Sequence, residues 1–469
     1  MAGLPVQSAR FTALIVACAL FMQNLDGTVI ATALPAMARA FHQDPVHMNV
    51  ALTSYLVSLA VFIPASGWMA DRFGARSVFR AAIAVFTVGS VLCGLADTLP
   101  FLVAARVLQG AGGAMMVPVG RLVLLRTAAK SELVAAMAWL SAPALIGPVI
   151  GPPLGGFMVT YLSWRWIFDI NVPIGLLGMV LVTRYVRDVR EEGAARLDIV
   201  GFILSALAMA GVMFGFETIG RIVPSPYPQL AIAGGIACGL LYARHARRQA
   251  APLLDFSLFR EPTFMVSVLG GTLFRIGIGG VPFLLPLMLQ LGFGLSPVQS
   301  GLMTLASSAG AIAMKPAAMS ALRRFGFRDT LTCNGLVAGV LLGVCALFRP
   351  SWPVAAMYAV LLAGGFFRSL QFTAYNTVAY ADIERRRMSA ATSLYSTIQQ
   401  LSLTLGVTIT AGCLESTMYF AGRSQPTLSD FSVAFFLVAV FAIAAAPVSR
   451  LMSRTAGADI SGQSVASAR

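Results

Sequence analysis

One arginine constrains this chain more than any other residue. Arg106 and Gln109 stand within a long apolar run near residues 100–119. A guanidinium stays protonated at any attainable pH, and placing it at the centre of a membrane-spanning helix costs at least ~3 kcal/mol. We therefore expect Arg106 to face a polar cavity or a partner. Arg368 and Gln371 repeat the Arg-x-Leu-Gln pattern in another apolar run, which predicts two related halves around one charged centre.

The composition indicates a polytopic membrane protein. Of the 469 residues, 58% are hydrophobic and only 11% are charged, with a mean hydropathy of +0.80, which is too apolar for a soluble domain. The net charge of +14 does not indicate nucleic-acid binding, because the basic residues lie in short loops between apolar runs. The six cysteines lie singly without C-x-x-C spacing, so we expect no disulfide framework, no metal site and no cofactor.

Fourteen apolar runs are long enough to cross a hydrocarbon core of ~30 Å. They lie near residues 11–35, 48–70, 77–96, 100–120, 132–160, 166–186, 197–216, 228–243, 263–291, 297–318, 330–348, 353–377, 392–415 and 430–449. The first run lacks a small-residue cleavage site after it, so we expect it to remain as a spanning helix.

The basic residues test this count independently, because cytoplasmic loops collect arginine and lysine. With both termini inside, 24 of the 33 basic residues fall in cytoplasmic segments, Arg121 among them, and five fall on the opposite side. The other four lie inside apolar runs: Arg106, Arg275, Lys315 and Arg368. The bias predicts fourteen spans with both termini in the cytoplasm.

Two loops repeat along with the arginines. Residues 71–76 read Asp-Arg-Phe-Gly-Ala-Arg after the second run, and residues 323–328 read Arg-Arg-Phe-Gly-Phe-Arg after the tenth. We therefore predict an all-α protein of two related six-helix halves, as in secondary transporters. The predicted units are an N-terminal half, an inserted two-helix hairpin, a C-terminal half and a polar tail, at residues 1–190, 191–255, 256–455 and 456–469. The tail is rich in Ser, Gly and Ala, and we expect it to be disordered.

The first of these loops resembles a known signature. Residues 67–76 resemble the sequence G-x-L-a-D-r-x-G-r-k of the major facilitator superfamily, with Met69 and Ala75 as departures. Its glycines permit a tight turn, and its aspartate can cap a helix and pair with arginines. The resemblance implies an inner gate formed by Gly67, Asp71, Arg72, Gly74 and Arg76.

The fourth and fifth runs carry two further signatures of that superfamily. Arg106, Gln109, Gly110 and Gly113 resemble the fourth-helix pattern R-x-x-q-G-x-g, whose arginine the family associates with proton coupling. The fifth run resembles the exporter pattern G-x-x-x-G-P-x-x-G-G, and glycines at every fourth position let another helix approach closely. The resemblance implies export and a hinge formed by Gly147, Gly151, Pro152, Gly155 and Gly156. Ala138 stands where the longer form of that pattern has a glycine.

Other stretches resemble the fourteen-spanner drug:proton antiporter branch of the superfamily. Residues 25–35 resemble its first-helix signature L-D-x-T-x-x-x-x-A-L-P, residues 164–175 its loop entering the sixth helix, and Asp198 with Gly201 its seventh helix. Residues 113–121 are similar to a subgroup named for multidrug export. The resemblance implies the major-facilitator fold, with an inserted helix pair, in the bacterial inner (cytoplasmic) membrane.

Asp26 is the only carboxylate well inside a predicted span, since Asp169, Glu217 and Glu415 lie near span ends. Burial favours the neutral carboxyl and a nearby arginine favours the charged one, so a carboxylate whose surroundings change can bind and release a proton. By elimination, Asp26 is the candidate proton carrier and Arg106 its modulator. A purely structural ion pair between the two is the alternative.

The arginines of the second half bear on the substrate. If the halves superpose, Arg275 lies near the level of Asn24 and Arg368 corresponds to Arg106, so one cavity would hold three arginines against one aspartate. Such a field favours an anion, for example a citrate-like acid or its ferric chelate. The predicted substrate contacts are Arg275, Arg368, Gln109, Gln371 and Asn24. Broad drug efflux is the family expectation, and gating roles for the arginines are an alternative.

Other function classes fit the sequence less well. A primary pump needs a phosphate-binding G-x-x-x-x-G-K-[ST] loop, which the sequence lacks. Intramembrane enzymes usually need a histidine within a span, whereas His42, His47 and His245 fall in loops or at span ends. We expect a non-enzymatic transporter whose partners are a small-molecule substrate, protons and the lipid bilayer, acting as a monomer; accessory efflux proteins stay open. An uncoupled channel or sensor is the remaining alternative.

Overall fold

The computed structural model describes residues 9–43, 48–129, 132–186, 196–218, 226–423 and 425–462. Within these ranges the regular structure is entirely helical. The first helices form what we call the N-terminal group: α1 (Ala9–Ala40), α2 (Asn49–Phe62), α3 (Ser66–Phe73), α4 (Ala75–Gly94), α5 (Leu99–Thr127), α6 (Leu133–Tyr161), α7 (Trp166–Asp169) and α8 (Asn171–Tyr185).

An inserted pair follows, formed by α9 (Ile199–Thr218) and α10 (Tyr227–Ala246). The remaining helices form the C-terminal group: α11 (Pro262–Gly279), α12 (Val281–Leu287), α13 (Pro297–Ala313), α14 (Ala317–Cys345), α15 (Val354–Val378), α16 (Met388–Phe420), α17 (Leu428–Ser449) and α18 (Ala458–Ser461). The tail that we expected to be disordered therefore begins with a helix, α18. Ile460 of this helix is buried, so the helix packs against the rest of the protein.

Many of these helices can cross a membrane. Within the described ranges, nine helical segments are long and apolar enough to do so. They are Thr12–Ile30, Val50–Phe73, Ala75–Gly94, Leu99–Thr127, Trp166–Tyr185, Ile199–Phe216, Pro262–Gly292, Val354–Val378 and Leu428–Ser449. The other five predicted runs coincide in sequence with helices α6, α10, α13, α14 and α16. The chain is thus a membrane protein with multiple apolar helices.

The repeated loops share a backbone feature. Gly74 ends α3 with a φ of +89°, and Gly326 interrupts α14 with a φ of +70°. Residues other than glycine rarely adopt such backbone angles, so both loops need glycine at the turn. The equivalence that the sequence suggested between residues 71–76 and 323–328 is therefore present in the backbone.

Packing ties the helices into a bundle in which α16 has a special place. Helix α1 packs along α6, and α4 packs along α5, while α11 packs against α16 and α17. Helix α16 of the C-terminal group also contacts α3 and α5 of the N-terminal group. The inserted helix α9 packs against both α2 and α16. Helix α6 of the N-terminal group likewise packs against α13 and α15. Any movement between the two groups must therefore change the contacts of both α16 and α6.

Candidate functional site

A closed polar network surrounds Asp26 inside the N-terminal group. Arg106 Nη1 donates to Asp26 Oδ2 at 2.7 Å, and Gln109 Nε2 donates to Asp26 Oδ1 at 2.9 Å. Arg106 Nη1 also donates to Gln109 Oε1 at 2.6 Å. The side chains of Arg106 and Asp26 are 0% and 1% exposed. Because removing either partner of a buried pair leaves an uncompensated charge, the two depend on each other.

Helices α4 and α8 complete this network. Asn171 Nδ2 donates to Asp26 Oδ1 at 3.1 Å and to Ser90 Oγ at 3.0 Å. Gln109 Nε2 also donates to Ser90 Oγ, at 2.6 Å. Helices α5 and α8 therefore donate to the carboxylate on α1, and Ser90 of α4 accepts from two of the donor side chains. Asn171 was part of a sequence motif, but nothing in the sequence indicated that it would reach Asp26.

Two aromatic rings and a backbone carbonyl contact the Arg106 side chain away from Asp26. It lies 4.3 Å from the centre of the Tyr55 ring and 5.8 Å from that of Phe168, distances at which cation–π attraction acts. Arg106 Nε donates to the carbonyl of Ala51 at 3.1 Å. In this conformation the pair is sealed from solvent, as the structural alternative requires.

Arg275 lies in a second, separate cluster within the C-terminal group. Its Nη2 donates to the Tyr395 hydroxyl at 2.5 Å and to Asn376 Oδ1 at 3.3 Å. Its guanidinium lies 4.7 Å from the centre of the Tyr395 ring. Among the described residues, no carboxylate pairs with Arg275, although the side chain is buried. A buried positive charge thus has only neutral acceptors.

Arg121 joins the same cluster from the N-terminal group, which corrects its assignment to a cytoplasmic loop. It lies within α5 and is buried. Its Nη1 donates to the Tyr380 hydroxyl at 3.1 Å, and its Nη2 donates to Gln399 Oε1 at 3.2 Å. Its guanidinium lies 5.3 Å from the centre of the Tyr395 ring. The sequence misled here because α5 extends beyond its apolar run, to Thr127.

Arg368 lies apart from both clusters. It donates to the hydroxyl of Ser307 and lines a pocket of apolar side chains in the C-terminal group. Gln371 accepts a hydrogen bond from Asn334 at 2.7 Å and donates to the carbonyl of Leu331 at 2.8 Å, whereas Gln109 contacts its arginine directly. The structure therefore does not bring Arg106, Arg275 and Arg368 together, because each has different hydrogen-bond partners.

The predicted gate brings the two groups together. Asp71 Oδ1 accepts from Arg126 Nη2 at 2.7 Å, and its Oδ2 accepts from the hydroxyl of Ser389 on α16. Ser393 of α16 also donates to the carbonyl of Pro64, at 2.8 Å. These contacts close the end of the bundle that carries the loop of residues 71–76, which we call the loop end.

Four gate residues differ from expectation. Asp71 pairs with Arg126, not with Arg72 or Arg76, and lies in the last turn of α3, so it does not begin a helix. Arg72 is exposed, and Arg76 donates to the carbonyl of Thr183 on α8 at 2.5 Å. Gly67 lies within α3 and not at a turn. A Cβ atom there would lie 2.6 Å from the Ser389 carbonyl oxygen, so this glycine serves the close approach of α16.

The glycine face of α6 lies against α1. A Cβ on Gly147 would lie 2.9 Å from Asn24 Cβ, and Gly151 similarly faces Thr28. Asn24 itself donates to the carbonyl of Leu20 at 2.7 Å. Gly155 is buried, whereas no atom lies within 4 Å of a Cβ placed on Gly156. The side chain of Pro152 lies outside the described residues.

Two glycines of α6 allow a matched test of this face. Gly147→Ala should lower stability by about 1–3 kcal/mol, because the new methyl group would meet the backbone and Cβ of Asn24. Gly156→Ala should lower stability by no more than about 0.5 kcal/mol, since no atom lies within 4 Å of its new Cβ. Thermal unfolding of the purified variants in detergent measures both. Equal melting temperatures for the two variants would contradict this packing.

With this geometry described, similarity to known proteins can be assessed. A family model described as the Major Facilitator Superfamily matches residues 16–407 and 267–463. The chain belongs to the Major Facilitator Superfamily. It is 41% identical over 420 residues to the "Putative multidrug resistance protein MdtD" of Salmonella typhimurium and to that of Salmonella heidelberg, and the match covers 88% of each chain. As a member of this transporter superfamily, the protein is not an enzyme.

Two solved transporter structures share its fold. The crystal structure of the human organic anion transporter MFSD10 superposes with a TM-score of 0.67, covering 94% of this chain and 100% of that one. The proton:xylose symporter XylE superposes with a TM-score of 0.63, covering 94% of each chain. Both are 14% identical to this protein, so the likeness concerns the fold alone.

Proposed function

We propose that this protein is a proton-coupled secondary transporter that exports small organic molecules across the bacterial cytoplasmic membrane. Its relatives are named for multidrug resistance, and broad drug efflux is the first candidate. We further propose fourteen spans with both termini in the cytoplasm, divided into six-helix halves around the inserted pair. The observation that carries the proposal is the Asp26 carboxylate, buried at 2.7 Å from Arg106 within a transporter fold.

In the proposed cycle, Asp26 is the proton carrier and Arg106 adjusts its proton affinity. The carboxylate accepts hydrogen bonds from three side chains on α5 and α8. If α1 moves relative to α5, those donors separate from the carboxylate, and a proton can take their place. Gln109 belongs to this network, so we transfer it from the substrate contacts to proton coupling.

The proposed gate is the loop end, where α16 contacts Asp71 and the carbonyl of Pro64. In the proposed orientation, with the termini inside, this end faces the cytoplasm, and the proposed gate is closed on that side. The glycine face of α6 is the proposed hinge, because its smooth contact with α1 leaves few interlocked side chains. A substrate drives the cycle only if it binds the two states with different affinity.

One observation favours a second candidate, export of anionic organic acids or their metal chelates. Arg121 and Arg275 come from different groups and contact the same ring, that of Tyr395. Both are buried, and neither pairs with a carboxylate among the described residues. A ligand anion between the groups would supply the missing negative charge. We therefore propose Arg275 as a substrate contact, joined by Arg121, and we omit Arg368 because it lies elsewhere.

Transport into inverted membrane vesicles tests both candidates. Under an imposed proton gradient, we expect an exported compound to accumulate and to leak out once a protonophore dissipates the gradient. Ethidium represents the lipophilic cations, and citrate with and without ferric ion represents the anions. Flux that is unchanged by the protonophore would contradict proton coupling and favour an uncoupled channel.

Variants of the arginine cluster separate the two candidates. If the substrate is anionic, Arg275→Gln should lower citrate uptake about 10- to 100-fold, since a charge-assisted contact is lost. Arg349→Gln is the matched control, because Arg349 donates only to backbone carbonyls at the end of α14. If ethidium alone is transported and Arg275→Gln leaves it unchanged, drug efflux is the correct function.

A further inference from the structure

A folded segment follows the last long helix, α17. Residues 452–462 form a series of turns that leads into α18, and we call them the C-terminal segment. The amide of Met452 donates to the carbonyl of Ser449 at 3.2 Å, and that of Ile460 donates to the carbonyl of Gly457 at 3.0 Å. Met452 and Ile460 are 2% and 1% exposed. Because its apolar side chains are buried, the segment is part of the packed protein.

A glycine determines where the C-terminal segment lies. Gly457 has a φ of +67°, which residues other than glycine rarely adopt. A Cβ placed there would lie 2.7 Å from the Phe327 ring of α14 and 3.4 Å from Val378, the last residue of α15. The segment therefore packs directly against the repeated loop of residues 323–328.

That loop differs from its repeat at the point of contact. Counting from Gly74 and Gly326, Phe327 corresponds to Ala75. Phe327 is fully buried, and its ring is the surface against which Gly457 packs. An aromatic ring in place of a methyl group thus gives the second loop an apolar surface for the C-terminal segment.

The second loop also cannot repeat the closing contact of the first. In the first loop, Asp71 accepts from the hydroxyl of Ser389 on α16. Arg323 stands at the corresponding position, and residues 323–328 contain no carboxylate. In the proposed six-helix halves, α6 and α16 are each the fifth span, so α6 is the counterpart of α16. Helix α6 contacts both α14 and α18, so the C-terminal segment reaches the N-terminal group where the carboxylate contact is missing.

We propose that the C-terminal segment is a latch that holds the two groups together at the loop end, in place of the contact that the second loop lacks. Its contacts with α14 and α15 lie within the C-terminal group, whereas its contact with α6 crosses to the N-terminal group. When the groups separate at the loop end, the segment can remain on only one of them. The contact with α6 therefore stabilises the closed state alone, and its loss shifts the equilibrium toward opening.

Distances between spin labels beside α6 and on α14 test the latch in the full-length protein. Nitroxide-bearing amino acids in place of the exposed Glu132 and Arg324 report the separation of the two groups, in detergent and without substrate or a proton gradient. Gly457→Ala should raise the ratio of open to closed molecules about 5- to 30-fold. The reason is that the new methyl group would overlap the Phe327 ring and displace the segment.

Gly422→Ala is the matched control for backbone strain. Gly422 has a similar φ of +61°, but no atom lies within 4 Å of a Cβ placed there. It follows the end of α16 that lies far from Ser389 and the loop end. We expect the label distances of this variant to match those of the wild type.

Two further variants separate the latch from a general loss of packing. Phe327→Ala gives the second loop the alanine of the first and removes the ring against which Gly457 packs. In that background, Gly457→Ala should open the loop end no further than Gly422→Ala does. Deletion of residues 452–469 should open it at least as much as Gly457→Ala.

The proposal goes beyond export, and its test does not require transport. Wild-type distances in both Gly457→Ala and the deletion variant would overturn it. Equal opening in Gly422→Ala and Gly457→Ala would overturn it as well, because strain and not the contact with Phe327 would then be the cause. The expected distance changes, combined with no proton-driven transport by the wild type, would refute the proposed function alone.

Discussion

Asp26→Asn is expected to lower proton-driven transport at least 100-fold, because the amide cannot carry the proton. It should also lower stability by about 3–5 kcal/mol, since the buried Arg106 guanidinium loses its only carboxylate among the described residues. Uptake into inverted vesicles measures the first effect, and thermal unfolding measures the second. The size of the transport defect follows because no other carboxylate among the described residues pairs with Arg106.

A double variant distinguishes proton carriage from a purely structural ion pair. Asp26→Asn with Arg106→Gln removes both charges, so stability should recover by several kcal/mol relative to either single variant. Coupled transport should remain absent, because the proton carrier is still missing. If the double variant recovers proton-driven transport along with stability, the pair is structural and Asp26 is not the carrier.

Gly67→Ala should lower transport about 5- to 100-fold by preventing closure of the loop end. The new methyl group would lie 2.6 Å from the carbonyl oxygen of Ser389, and such overpacking against backbone costs about 1–3 kcal/mol in the closed state alone. The equilibrium between closed and open states should shift by the corresponding factor. Distances between spin labels on α3 and α16 measure this shift.

The control for this variant is another glycine of the N-terminal group. No atom lies within 4 Å of a Cβ placed on Gly27, so Gly27→Ala should leave the α3 to α16 distances unchanged. If Gly67→Ala gives the same distances as the wild type and full transport, then the approach of α16 to α3 is not part of the transport cycle.

Much of the fold could be predicted from the sequence, because membrane burial leaves long apolar runs and the loops repeat. The link between Asp26 and Arg106 was also predictable, since a single carboxylate and an arginine within spans have few other ways to be compensated. Gly74 was expected at a tight turn because glycine tolerates backbone angles that other residues rarely adopt, and the loop repeat places Gly326 at the equivalent position.

The rest depended on helix lengths and rotations that composition does not encode. Arg121 appeared to be a loop residue because apolar content, not helix length, set the end of the fourth run. Arg368 matched Arg106 in pattern, yet its surroundings differ because α11 carries no carboxylate. Tyr395 gave no signal, since a tyrosine in a span is usually ordinary packing. Contacts between distant helices decided each of these cases.

The junction between α2 and α3 has a consequence for how this transporter tolerates change. Ser393 of α16 donates to the main-chain oxygens of Ile63 and Pro64, in the 3₁₀ turn Ile63–Ala65. Main-chain oxygens are the same for every amino acid, so mutation at position 63 leaves this acceptor in place as long as the turn keeps its shape. On the α16 side, in contrast, this contact depends on the hydroxyl of Ser393. We therefore expect Ile63, on the α2 side of this contact, to tolerate substitution better than Ser393 on the α16 side.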